Sequence, residues 1–128
     1  MVTTLRSFSG FSVDDLDAAR RFYRDTLGLP VRDNAMGALE IDLTEGSSVF
    51  VYGKGEAHAP ASYTALNLVV PNIDEAVTEL EAAGVSLIRY PDFDQDERGI
   101  ARSTDPSQGP TIGWITDPAG NVIALIED

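Results

Sequence analysis

A short segment near the start of the chain recurs, in altered form, 57 residues later. Residues 13–19 correspond to residues 70–76, with Val, Asp and Ala at the first, fifth and seventh positions of both. Each copy follows a short apolar run and opens a helical pattern that ends at a glycine, Gly28 or Gly84. The repeat predicts two similar units, and clefts between such units are common ligand sites.

The composition is that of one globular domain of 128 residues. The sequence has no cysteine, which excludes disulfides, thiolate nucleophiles and zinc sites built on cysteine. No apolar run approaches the roughly 18 residues that a membrane span needs. The first residues also lack the pattern of a secretory signal. We therefore expect a cytoplasmic protein with no membrane partner.

The chain is strongly acidic, with a formal net charge of −12. Nucleic-acid binding requires a basic surface, so we expect no nucleic-acid partner. An acidic surface would speed the encounter with a cationic small ligand. The charge also has a simpler interpretation, because acidic surfaces keep proteins soluble.

The order of predicted elements is the same in both halves of the chain. In the first half, a strand over 5–12 precedes an amphipathic helix from Leu16 to Leu27, which the carboxylates of Asp14 and Asp15 can cap. The Glu45-Gly46 turn joins two later strands. In the second half, we expect strands over 63–70, 85–90, 111–116 and 122–126, and a helix that begins after Asn72. The sequence thus predicts one domain over 1–128, made of units 1–54 and 62–128 with a linker over 55–61.

Three motifs in this order resemble the vicinal oxygen chelate superfamily, the glyoxalase, bleomycin-resistance and extradiol-dioxygenase group. They are the segment 12–23 followed by Leu27-Gly28-Leu29, the repeat 72–76, and the turn motif 117–123, Asp-Pro-Ala-Gly-Asn-Val-Ile. The resemblance implies an α+β fold of two βαβββ modules, whose curved sheets form a cup. It also implies a homodimer.

The family's usual chemistry uses a divalent metal held by His, Glu or Gln side chains on the first and last strands of each module. The matching positions in this chain are Phe8, Ala65, Ala124 and a position near Tyr52. Phenylalanine and alanine have no donor atom, and neutral tyrosine is a poor ligand. We therefore expect no metal and no other cofactor.

Several side chains remain as candidates for ligand binding. His58 is the only histidine and the first candidate for a general base, with Tyr63 or an acidic residue as alternatives. An exposed linker histidine would look the same. Trp114 could stack on a planar ligand or hold a cation, or it could fill the core. We expect the ligand-binding residues to be Phe8, Phe50, Tyr52, Tyr63, Asn67 and Trp114.

The stretch 92–98 contains four acidic residues and could attract a cationic ligand or a hard cation, or be a solvated loop. It lacks the spacing of an EF-hand.

Together these features favour a metal-independent protein that binds a small molecule. The alternative is a lyase, isomerase or dioxygenase of the same superfamily with an atypical site. A third hypothesis is an interaction module whose cup is closed around its own side chains.

Overall fold

The computed structural model describes all residues, 1–128, and divides into two compact units, Met1–Pro60 and Ala61–Asp128. Each unit carries one mixed sheet and one α-helix, in keeping with an α+β fold. None of the helices has the length and hydropathy that crossing a bilayer requires.

The first unit holds a sheet of four strands in the order β1-β4-β3-β2. The strands are β1 (Ser9–Val13), β2 (Val31–Asp33), β3 (Leu39–Asp42) and β4 (Ser48–Gly53). β1 runs parallel to β4, with Gly10 opposite Phe50 and Ser12 opposite Tyr52, and the other pairs are antiparallel. β1 begins four residues later than the sequence predicts, so Phe8 lies just before it.

Helix α1 (Leu16–Arg21) begins where the sequence places an acidic cap. The carboxylate of Asp15 accepts hydrogen bonds from the backbone N–H groups of Asp17 and Ala18. These bonds satisfy donors that the first helical turn leaves unpaired. The predicted single helix to Leu27 is wrong in its second half, because residues Phe22–Thr26 form a π-helix.

The core of the first unit lies between this helical segment and one face of the sheet. We call that covered side the closed face; its buried strand residues are Phe11, Val13, Leu39, Ile41, Val49 and Val51. Tyr23, which is fully buried, packs against Phe11 and Phe22 with ring centroids 5.9 and 5.3 Å apart. Because side chains alternate along a strand, the residues between these point to the opposite side, the open face.

The second unit holds three strands in the order β5-β7-β6 and one helix. They are β5 (Thr64–Val70), β6 (Ile112–Thr116), β7 (Val122–Glu127) and α2 (Ile73–Ala82). Asn72 caps α2 by accepting from the N–H of Glu75, as the sequence predicts. The side of the sheet that bears the buried Leu66, Ile115 and Leu125 is its closed face.

The strand that the sequence predicts over 85–90 does not form. One hydrogen bond, from Ile88 N to Trp114 O, joins this segment to β6. The side chain of Gln95 instead accepts from Tyr90 N and donates to Ile88 O. This amide occupies backbone groups that a strand would pair with its neighbour.

The turn before β7 is held by its own side chains. Asp117 accepts from the N–H groups of Ala119 and Asn121, and Gly120 has a φ of 85°. The Asn121 side chain accepts from Ala61 N. Aspartate, glycine and asparagine thus each have a structural role at their position in this turn.

Candidate functional site

The open face of the first sheet carries a cluster of three aromatic side chains, two from β4 and one from the residue just before β1. The rings of Phe50 and Tyr52 stack at 5.6 Å, and Phe8 meets Phe50 edge-on at 6.1 Å. Phe8 is 54% exposed and Tyr52 is 38% exposed. Large apolar rings therefore remain accessible to solvent on a face that the unit's own helix does not cover.

Gly10 permits this arrangement, because it stands beside Phe50 in the parallel pair. A Cβ at Gly10 would lie 3.0 Å from the carbonyl oxygen of Phe50 and close to its ring. The missing side chain leaves the Phe50 ring unobstructed on that side.

Two polar side chains meet at the end of the same face. Ser12 lies opposite Tyr52 in the register, and its Oγ is 2.8 Å from Nδ1 of His58. His58 follows the short helical turn Gly55–Ala57, and its contact with Ser12 joins the segment after β4 to β1. The structure thus places the single histidine at a polar edge of the aromatic cluster.

The opposite edge of this face is charged. Arg32 on β2 forms a bidentate pair with Asp42 on β3, with N–O distances of 2.9 and 2.7 Å. Its guanidinium also lies 3.8 Å from Glu40, which stands beside Phe50 in the register. The Arg32 guanidinium, chiefly through its hydrogen bonds, lowers the pKa of Asp42 below its ordinary value.

The open face of the second sheet has a row of three residues across its strands. Asn67, Ala124 and Trp114 stand opposite one another on β5, β7 and β6. Asn67 is exposed, whereas Trp114 is partly covered. Tyr63 lies just before β5 rather than on it, and it is 72% exposed.

Trp114 also contacts two aromatic residues that were not predicted as ligand-binding residues from the sequence. Phe93 lies 5.0 Å from the Trp114 ring at 42°, and Tyr90 meets it edge-on at 5.3 Å. Both come from the irregular segment that replaces the expected strand. Nothing in the sequence marks these two residues except that they lie on either side of Asp92, the first acidic residue of a mostly polar stretch.

A cavity of about 260 Å³ lies beside this second cluster. Trp114, Ile112 and Phe93 contribute its apolar wall, and Asp94 and Asp105 are among its polar lining residues. A larger groove over the first turns of α2, about 420 Å³, is lined without any aromatic ring. Another, about 370 Å³, shares Phe93 and Asp94 with this cavity and is also lined by Tyr90 and Arg89.

The positions that match the superfamily's metal ligands do not fit a metal. Phe8 presents a hydrocarbon ring, Ala65 and Ala124 present methyl groups, and Tyr52 is stacked on Phe50. No group of three or more His, Asp or Glu side chains is placed to hold a metal ion. These residues support no step through a bound metal.

The sequence-selected residues thus fall into two sets. Phe8, Phe50 and Tyr52 are together in the first unit with His58 nearby, and Asn67 and Trp114 share a row in the second unit. Tyr63 belongs to neither set of contacts.

Comparison with known proteins bears on both fold and family. TnmS3, an antibiotic binding protein from Streptomyces sp. CB03234, has the same fold, with 22% sequence identity, a TM-score of 0.66 and 98% of each chain covered. A glyoxalase/bleomycin resistance protein/dioxygenase superfamily member from Sphaerobacter thermophilus DSM 20745 has 24% identity and a TM-score of 0.68, with 97% of this chain and 98% of that chain covered. The fosfomycin resistance protein FosX from Listeria monocytogenes has 13% identity and a TM-score of 0.71, with 100% of this chain and 95% of that chain covered.

These likenesses confirm the predicted two-module, glyoxalase-like fold. No curated protein matches the sequence significantly. The model of one family, the Glyoxalase/Bleomycin resistance protein/Dioxygenase superfamily, matches residues 7–125. The chain therefore belongs to the glyoxalase/bleomycin resistance protein/dioxygenase superfamily.

Proposed function

We propose that this protein binds an organic small molecule through aromatic side chains on its open sheet faces and needs no metal to do so. The observation that carries the proposal is the solvent-accessible cluster of Phe8, Phe50 and Tyr52. Aromatic rings stand near positions where the superfamily usually has metal donors.

The physical reason is the free energy of covering exposed aromatic surface. Burying apolar area contributes about 25 cal/mol per Å², and ring pairs add a preference for stacked or edge-on geometry. Ser12 and His58 at one edge, and Glu40 at the other, supply a few polar groups that can orient a ligand. An apolar surface with a few placed polar groups is typical of small-molecule sites.

The names of related structures support this class of function without assigning it. TnmS3 is described as an antibiotic binding protein and FosX as a fosfomycin resistance protein. At 22% and 13% sequence identity, these similarities show only that the fold is shared. Sequestration of an organic compound is the corresponding proposal for this chain, and its net charge of −12 favours a cationic compound.

Titration with Nile red, a neutral probe whose emission rises in apolar sites, tests the proposal. We expect saturable binding that Phe50→Leu and Tyr52→Leu each weaken, since leucine removes the ring but keeps an apolar side chain. Met36→Leu, on an exposed turn, is the matched control and should bind as the wild type does. Absence of saturable binding, or equal loss in all three variants, would overturn the proposal.

A second candidate function is an enzyme that acts through His58. The observation that favours it is the 2.8 Å contact between His58 Nδ1 and Ser12 Oγ, because a histidine can activate a neighbouring hydroxyl. A fluorophosphonate reagent would then modify Ser12 in the wild type but not in His58→Ala, as mass spectrometry of peptides would show. An unmodified Ser12 would remove this candidate.

We also propose a cytoplasmic homodimer. Its support is the sequence alone: the lack of cysteine and the resemblance to a superfamily with many dimers. Light scattering during size-exclusion chromatography should give twice the chain mass of 13.7 kDa; the monomer mass would contradict a dimer.

A further inference from the structure

We infer that the cavity beside Trp114 selects planar aromatic cations, with Asp94 and Asp105 as the residues that determine charge specificity. The inference rests on the proposed function, because it names the class of organic ligand and the place where its charge is recognised. It does not depend on the aromatic cluster of the first unit.

The apolar wall of the cavity suits a flat ring. Trp114 is the largest aromatic side chain available, and Phe93, itself 53% exposed, stands 5.0 Å from it. The electron-rich face of an indole ring attracts cations as well as other rings. The volume of about 260 Å³ exceeds the roughly 150 Å³ of a cavity that holds benzene. A fused ring system therefore fits better than a single ring.

Residues 101–110 form another wall of the cavity, and backbone hydrogen bonds hold this segment against β6. Ala101 and Ile112 exchange two backbone hydrogen bonds of 2.9 and 3.0 Å. Ser103 donates its N–H to Thr111 Oγ1, just before β6, and its Oγ donates to Gly109 O within the wall itself. A wall held in this way loses little conformational entropy when a ligand enters.

The segment that carries Phe93 and Asp94 is also fixed. Gln95 accepts from Tyr90 N and donates to the carbonyl oxygens of Ile88 and Gly99, with distances of 2.8, 2.9 and 2.7 Å. Phe93 N donates to Tyr90 O. The acidic stretch is therefore an ordered part of the cavity wall.

The balance of charge at the cavity is negative. Arg102 is the only cationic side chain in the lining. Its guanidinium lies 2.6 Å from Asp74 and 3.2 Å from Asp96, so two carboxylates offset it. Asp105 accepts from Ser107 N and Oγ, which lowers the pKa of Asp105 and keeps it ionised. Asp94 and Asp105 thus remain to attract a cation.

The test compares three fluorescent probes of different charge: thioflavin T, a planar cation; Nile red, which is neutral; and 1-anilinonaphthalene-8-sulfonate, an anion. We expect thioflavin T to bind the wild type most tightly. Asp94→Asn and Asp105→Asn should each weaken thioflavin T about fivefold, the effect of about 1 kcal/mol between charges about 4 Å apart in water. Asparagine at 105 also keeps the helix-capping oxygen.

The matched control is Glu79→Gln, which makes the same change of net charge on α2, away from this cavity. It should leave the affinity for thioflavin T unchanged, and Nile red should bind all variants equally. If Glu79→Gln weakens thioflavin T as much as Asp94→Asn, the effect is general surface charge and the inference is overturned. Nile red binding without any preference for the cation would overturn the inference alone; absence of binding by every probe would overturn the proposed function as well.

Discussion

The hydroxyl oxygen of Ser12 lies 2.8 Å from Nδ1 of His58, across 46 residues of sequence. The contact joins the open face of β1 to the segment that follows β4. It is partly buried, so its loss has a measurable cost in stability as well as any consequence for function.

Ser12→Ala and His58→Ala should each lower the free energy of unfolding by about 1 kcal/mol, the usual net value of such a hydrogen bond. Urea denaturation of the two single variants and the double variant measures this. The double variant should lose less than the sum of the two single losses, because the same contact is removed in each. Strictly additive losses would show that the two side chains are not coupled.

Phe93→Ala should change the fluorescence of Trp114, which is the only tryptophan. Phe93 lies 5.0 Å from the indole and screens it from water. Its removal should shift the emission maximum to longer wavelength, and Phe93→Leu, which keeps an apolar cover, should shift it less. An unchanged spectrum in Phe93→Ala would mean that the two rings are not in contact in solution.

Gly113→Ala should destabilise the second unit. An added Cβ would lie 2.7 Å from Cδ1 of Leu87, which packs on the closed side of β6. Overpacking costs about 1–3 kcal/mol. Because Cδ1 is the free end of a side chain that can move, we expect the lower end of this range, measured by thermal or urea unfolding. In a Leu87→Ala background the same change should cost little, because the clash is gone. An equal cost in both backgrounds would contradict the contact.

Arg102→Gln should flatten the dependence of stability on pH in acid. Hydrogen bonding to Arg102 lowers the pKa of Asp74 from its ordinary value of 3.8. A carboxyl with a lowered folded pKa stabilises the protein above the unfolded pKa, and this stabilisation is lost as the pH falls through the folded value.

Urea unfolding at several pH values below 5 should therefore show that the free energy of unfolding falls more steeply with decreasing pH in the wild type than in Arg102→Gln. Arg21→Gln removes the same charge from an exposed position on α1 and is the control. If the control shows the same dependence of unfolding free energy on pH as Arg102→Gln, the effect is due to net charge.

The sequence predicted those features that local chemistry determines. The acceptors Asp15 and Asn72 cap their helices, and the Glu45-Gly46 turn forms with positive φ at both residues, 63° and 76°. Phe50 and Tyr52 lie two residues apart on β4, and the alternation of side chains along a strand places them on the same face. Each of these depends on residues a few positions apart.

What the sequence did not predict depends on which of several competing hydrogen-bond arrangements forms. The side chain of Gln95 forms hydrogen bonds with backbone groups of the segment 85–90 that a strand would pair with its neighbour. No periodicity in that segment predicts these bonds. The placement of Phe93 beside Trp114 follows from the same loop. The π-helix Phe22–Thr26 likewise has no sequence pattern distinct from that of an α-helix.

The central claim is that the chain binds an organic molecule without a metal, and the most direct test is a Nile red titration before and after dialysis against EDTA. Elemental analysis by mass spectrometry would accompany each sample. The account predicts the same dissociation constant in both samples and far less than one divalent metal ion per chain. A stoichiometric metal, or binding that EDTA abolishes and added zinc or manganese restores, would contradict it.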